Sequence, residues 1–288
     1  MGSTSSVVTP MDAGSDASGV LVCSLAVSRD GKWIVSGTSD GLVKVWSTES
    51  YGKAMEFEAH LWWVRAIDVS PDGTRIVTGS DDDTVRVCVW SLSTGQRLLG
   101  PWEYDYCRGM AAVKFSPDGC FIATAMWGGL PPTLRVYDSQ SGRLVFNILL
   151  TQVIDAPRNS SIVWAKDARQ LFALSEYGSI YRLDVAGTGT MLSTWPVQYN
   201  NQTTRCIASA SNGAFIAVSA GSSVSFWNPT TREQIGSVTE FTHDIWCMAI
   251  SPNDDLTTAG DNKISLRSLR DILPSSYFSV VSGPTSNV

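Results

Sequence analysis

The chain has 288 residues, 43% of them hydrophobic and 17% charged, which is enough to bury a sizeable core in one all-β domain or two smaller ones. Its net charge of −6, with Lys and Arg scattered along the sequence, argues against nucleic acid, because wrapping a phosphate backbone needs a concentrated basic surface. No stretch nears the ~18 apolar residues of a membrane span, so no membrane partner is expected.

At the N-terminus, Met1 to Val20 has neither a basic start nor a continuous apolar run, so a secretory signal is not expected and the protein reads as intracellular, most simply cytoplasmic. Met1-Gly2 and Ser6 fit the loose myristoylation pattern, but no polybasic patch follows to supply a second membrane signal. Ser6-Val7-Val8-Thr9 is a short strand-like run.

The first strand–turn–strand unit is Leu25-Ala-Val-Ser-Arg-Asp-Gly-Lys-Trp-Ile-Val-Ser-Gly37. It recurs as Ile67-Asp-Val-Ser-Pro-Asp-Gly-Thr-Arg-Ile-Val-Thr-Gly79 and as Val113-Lys-Phe-Ser-Pro-Asp-Gly-Cys-Phe-Ile-Ala-Thr-Ala125. Weaker copies begin at Ile162, Ile207 and Met248. Aligned on Ser28, Ser70, Ser116, Ala165, Ala210 and Ser251, the copies are 42, 46, 49, 45 and 41 residues apart. Alternating apolar residues such as Ile67 and Val69 give a strand with one face buried. Ser-Pro-Asp-Gly turns the chain, with Pro presetting φ and Gly accepting φ > 0. Asp81-Asp82-Asp83 and Ser93-Thr94-Gly95 mark the later turns of the second unit, and Asp40-Gly41 marks a hairpin of the first. Four short strands at a period of about 40–45 residues define propeller blades.

At these residues the chain resembles the WD40-repeat family, over roughly Val20 to Arg267. In that family a repeat opens near Gly-His and closes near Trp-Asp. The resemblance implies an all-β, WD40-type β-propeller of four-stranded blades; six repeats are readable, and seven blades stay open. It also implies a structural tetrad in the second unit, His60, Thr78, Asp82 and Trp90, with Cys88-Val89 as a two-residue insertion. The first unit keeps Ser36, Asp40 and Trp46, with Ser18 at the His position. Later units depart: Trp227-Asn228 has Gly221 near the Asp position, Tyr137 and Leu183 replace Trp, and the sixth unit has His243 and Asp261 but Arg267 in place of Trp. The expected organisation is an N-terminal segment at 1–19, a propeller at 20–272 and a tail at 273–288. The closing strand comes either from Ser6–Thr9 or from Tyr277-Phe278-Ser279-Val280-Val281.

Chemistry is sparse. Two histidines exist, and neither lies in a metal-binding array, so no metal, cofactor or catalytic residue is expected. Gly37-Thr38-Ser39-Asp40-Gly41 matches G-x-S-x-G, but a nucleophile elbow needs a strand turning into a helix, whereas this segment joins two strands. Asp81–Asp83 lacks calcium-loop spacing. Six widely spaced cysteines, Cys23, Cys88, Cys107, Cys120, Cys206 and Cys247, read as buried thiols of a reducing compartment. Asn159-Ser160-Ser161 and Asn201-Gln202-Thr203 match the glycosylation sequon and are read as loops.

Aromatics cluster in segments that join one blade to the next. Trp62, Trp63 and Arg65, then Trp102, Tyr104, Tyr106 and Arg108, with Trp127 and Trp246, form a candidate partner-binding set on the top rim; Tyr177, Tyr199 and Arg205 extend it. Trp, Tyr and Arg are enriched at interface hot spots. The expected function is a non-catalytic scaffold that binds a protein or peptide as a monomeric subunit of a larger complex. A carbohydrate-binding, lectin-like propeller is the alternative, and uneven aromatics from blade to blade speak for the scaffold.

Overall fold

The computed structural model describes residues 20–278, except 83–85, 105–108, 128–132, 151–161, 176–177, 188, 198–203, 252 and 261–262. Six antiparallel sheets follow one another in chain order, and within each the strands lie side by side in sequence order. They form a six-bladed β-propeller. Blades one to five have four strands each, between Val22 and Glu58, Val64 and Glu103, Gly109 and Leu149, Ile162 and Pro196, and Thr204 and Glu240. Among the described residues the sixth blade has three strands, from Cys247 to Ser268. Two 3-10 turns, Leu269–Asp271 and Ser275–Tyr277, follow it.

The repeated turn has a repeated bonding pattern. Ser28, Ser70 and Ser116 each donate their hydroxyl to the Asp two residues on, at 2.5–2.6 Å. Each hydroxyl oxygen also accepts the backbone N–H five residues on, at 2.9 Å. The turn therefore satisfies its own buried polar groups. Its Gly takes φ near +70° at Gly31, Gly73 and Gly119. Blades four and six place Ala168 and Asp254 at the same point with φ of 57° and 66°.

Blades join face to face. Five apolar clusters occupy the five successive junctions, from Val43, Val45, Ile67 and Trp90 between blades one and two to Val224, Phe226, Met248 and Leu256 between blades five and six. Polar bonds reinforce them: Asp68 accepts the Phe115 N–H at 2.9 Å, and the Trp164 indole donates to the Lys114 carbonyl at 3.2 Å. No such cluster spans blades six and one among the described residues.

Three expectations need correcting. Cys88-Val89 makes no bulge against the second strand, since Arg86–Ser91 pairs with Arg75–Ser80 without a register shift. The irregularities fall on the other side, against Arg97–Glu103. Among the described cysteines only Cys88 and Cys206 are buried, while Cys120 and Cys247 are exposed, because their strand and turn positions face outward. Tyr277 lies in a 3-10 turn and packs with Phe278 against Phe215 of blade five. Ser6–Thr9, Ser279–Val281, Gly2, Cys107 and both sequons lie outside the described residues.

Candidate functional site

The second blade carries a bonded side-chain network beneath the rim. His60 Nε2 lies 2.7 Å from Thr78 Oγ1, and the Trp90 indole N–H donates to the same oxygen at 2.8 Å. His60 Nδ1 sits 3.4 Å from Asp82 Oδ2. A neutral imidazole with the proton on Nδ1 serves both contacts: it donates to Asp82 and accepts from the Thr78 hydroxyl. All four residues are buried. Burial alone would raise the Asp82 pKa, but the hydrogen bond from His60, with the Arg86 charge nearby, brings it below the usual carboxylate value.

Other blades solve the same problem differently. In blade three the Tyr104 hydroxyl bonds Thr124 Oγ1 at 2.7 Å, with the Arg135 guanidinium 4.3 Å above the ring. Blade one has Trp46 donating to Ser36 at 3.3 Å, and Ser18 lies outside the described residues. In blade five Trp227 donates to Ser225. In blade six His243 is buried, neither ring nitrogen has a hydrogen-bond partner among the described residues, and Arg267 stacks over Phe241.

Above this network, the loop between the first two blades presents Leu61, Trp62 and Trp63. Leu61 is 83% and Trp62 55% exposed. Gly41 pins the loop: its carbonyl accepts the Ala59 and His60 N–H groups. A Cβ on Gly41 would come within 2.0 Å of the His60 carbonyl oxygen, so only glycine allows this approach. The Arg65 guanidinium lies 4.2 Å above the Trp63 ring, and its Nε pairs with Asp81. Asp81 also accepts the Met110 N–H at 2.9 Å, which joins blades two and three at the rim. Leu61, Trp62, Asp81, Asp82 and Arg86 line a cleft of about 260 Å³. That is below the ~300 Å³ of ordinary small-molecule pockets and suits a single inserted side chain.

Two members of the expected rim set belong elsewhere. Trp102 is on the outer strand of blade two, and its ring stacks on Tyr137 of blade three at 4.1 Å, nearly parallel. Tyr104 is 2% exposed inside the same junction. Both are packing residues: Trp102 lies flat on Tyr137 of the next blade, and the Tyr104 hydroxyl meets Thr124 there. Trp246 is half-buried on blade six, remote in sequence from the Trp62–Arg65 cluster, and its backbone N–H donates to the Ala259 carbonyl. Tyr106, Arg108, Tyr177 and Tyr199 lie outside the described residues, as do the side chains of Trp127 and Arg205. Leu61 went unread; an apolar residue beside two tryptophans in a turn segment was the available signal.

No activated nucleophile accompanies this surface among the described cysteines with a perturbed thiol. Burial pushes the Cys88 thiol up to about 11. Among the described residues no group of three or more His, Cys, Asp or Glu is arranged to hold a metal. No helix among them is long and apolar enough to cross a membrane.

Blades of this period, turn chemistry and His–Thr–Trp bonding define a WD40-type propeller, and the comparisons support WD40 repeats in this chain. The family model for the WD domain, G-beta repeat, matches residues 13–47, 53–88 and 233–268. The chain is similar to Protein groucho of Drosophila melanogaster, with 34% identity over 102 residues. That stretch covers 35% of this chain and 13% of the Drosophila protein.

Proposed function

We propose that the protein is a non-catalytic interaction scaffold, intracellular, which binds a protein or peptide partner through the top rim of blade two. The observation that carries this reading is the run Leu61-Trp62-Trp63, with Leu61 and Trp62 exposed and Trp63 half-buried beside them, on a loop whose backbone is fixed by Gly41. Rigid aromatic anchors bury area at low entropic cost. Arg65, which would otherwise select an acidic partner, is matched by Asp81. Its role is to stack on Trp63 and hold that ring. The cleft beside Trp62 carries two carboxylates and one guanidinium, so an apolar or basic side chain suits it better than an acidic one. A carbohydrate site would need aromatics repeated from blade to blade, and with Trp102 and Tyr104 buried the described rim has no such repeat.

The test is capture of the partner by the Leu61→Ala/Trp62→Ala double variant. Both side chains are exposed, so the circular dichroism spectrum and melting temperature stay as in the parent. Capture weakens by about 2 kcal/mol or more, the usual hot-spot threshold. Undiminished capture by a folded variant assigns the partner to another face.

A further inference from the structure

The cleft beside Trp62 has room for one side chain, and its walls select the charge of that side chain. Three ionised groups line it, Asp81, Asp82 and Arg86. Arg65 neutralises Asp81, and Glu103 lies 3.4 Å from Arg86 Nε. Arg86 also acts on Asp82, but its charge is already set against Glu103. Asp82 is 6% exposed; its Oδ2 faces a neutral His60, and its Oδ1 has no hydrogen-bond partner among the described residues. The carboxylate is nevertheless ionised at neutral pH, because its pKa lies below the usual value. With both ion pairs counted, the cleft keeps one uncompensated negative charge, where water screens it poorly. The surroundings add to this field. Asp40 directly precedes Gly41, whose carbonyl holds the loop, and Glu58 directly precedes Ala59. Both carboxylates are exposed, and neither is ion-paired among the described residues.

We propose that the partner polypeptide inserts a basic side chain, Arg or Lys, into this cleft, its alkyl stem against Leu61 and Trp62 and its charge toward Asp82. The inference rests on the docking surface argued above and names what that surface selects. An apolar occupant would strip the remaining water from a carboxylate and return no interaction, which is costly for any buried charge. An acidic occupant would add a like charge beside Asp82 and Asp81. A basic occupant compensates Asp82, and the exposed face of the Trp62 ring attracts a cation in its own right. Its shape fits as well. Long basic side chains lay an apolar stem along apolar surface and carry the charge at the tip, which matches a narrow cleft with Leu61 and Trp62 on its wall and carboxylates beside them.

The test titrates the full chain with three peptides, acetyl-Leu-Ala-Xaa-Ala-Leu-amide, in which Xaa is arginine, citrulline or glutamate. Citrulline has the shape of arginine without its charge. Binding is read from the indole N–H resonance of Trp62, assigned by its loss in Trp62→Phe. The arginine peptide should bind about tenfold more tightly than the citrulline peptide, and the glutamate peptide more weakly than either. Equal affinities for arginine and citrulline overturn this proposal and leave the apolar docking surface standing. An arginine peptide that leaves Trp62 unmoved also overturns it, and the Leu61→Ala/Trp62→Ala capture experiment then decides the docking surface by itself. Asp82→Asn should bring the ratio of the arginine and citrulline affinities toward one. Because Asp82 belongs to the His60 network, two variants at an 83% exposed position give a check that does not depend on its folding. Leu61→Gln and Leu61→Lys both lose the apolar side chain, but only the lysine sets a cation beside the cleft. The ratio should persist in Leu61→Gln and vanish in Leu61→Lys. Persistence in Leu61→Lys, or in a folded Asp82→Asn, overturns the proposal, because the charge that arginine senses then lies elsewhere on the chain.

Discussion

His60 is held by two contacts: one ring nitrogen accepts from Thr78 and the other donates to Asp82. Thr78 is fully buried, and the His60 and Asp82 side chains are nearly so. His60→Ala leaves both partners short of a bond away from water and should cost about 1–3 kcal/mol. The measurement is a urea midpoint at constant slope. An unchanged midpoint would mean that water replaces the imidazole at no cost. Blade three shows that the requirement is for the bond, since Tyr104 meets Thr124 there with a phenol.

The turn between the first and second strands of a blade demands a left-handed residue. Blades one, two and three give that place to Gly31, Gly73 and Gly119, whereas blade four puts Ala168 there at φ 57°. An L-residue in this region costs about 1–2 kcal/mol, of which the larger unfolded-state freedom of glycine offsets ~0.4–1 kcal/mol. Ala168→Gly should therefore stabilise the protein by about 0.5 kcal/mol, read as a higher denaturant midpoint at unchanged slope. A lower midpoint would show that packing of the Ala168 methyl outweighs the strain. The same turns explain why the period is legible: Ser, Asp and Gly each have one conformational or bonding task at a fixed offset.

Across the whole molecule these turns set the response to acid. Desolvation at the turn raises the Asp72 pKa, but hydrogen bonds from Ser70 and Thr74 bring the net value below 3.8. Asp82 is depressed in the same direction, as are the exposed Asp30 and the half-buried Asp138 through bonds from Ser28 and Ser141. A carboxylate whose folded pKa lies below its unfolded value adds stability above the unfolded value. That stability is lost as pH falls through the folded one. The denaturant midpoint should thus hold steady well above pH 3.8 and decline below it. Asp82→Asn should flatten the decline while lowering the midpoint at neutral pH. A midpoint that rises on acidification would contradict this assignment.

The repeats, the anchor turns, the strand alternation and the residues of the second-blade network were legible in the sequence, because each depends on offsets within one blade. Which large side chains face solvent was not. Strand alternation tells which side of a sheet Trp102 or Tyr104 occupies, but whether that side is covered depends on the next blade, some 40 residues away. Arg65 read as a free cation until the fold brought Asp81 against it from the opposite loop. The contrast between Val87 and Ile264, or between Ile67 and Leu25, has the same origin. Each pair occupies equivalent places in its repeat and carries similar side chains, and only the presence or absence of a neighbouring blade makes one core and the other surface. Local chemistry determined the blade; the packing of one blade on the next decided what each face is for.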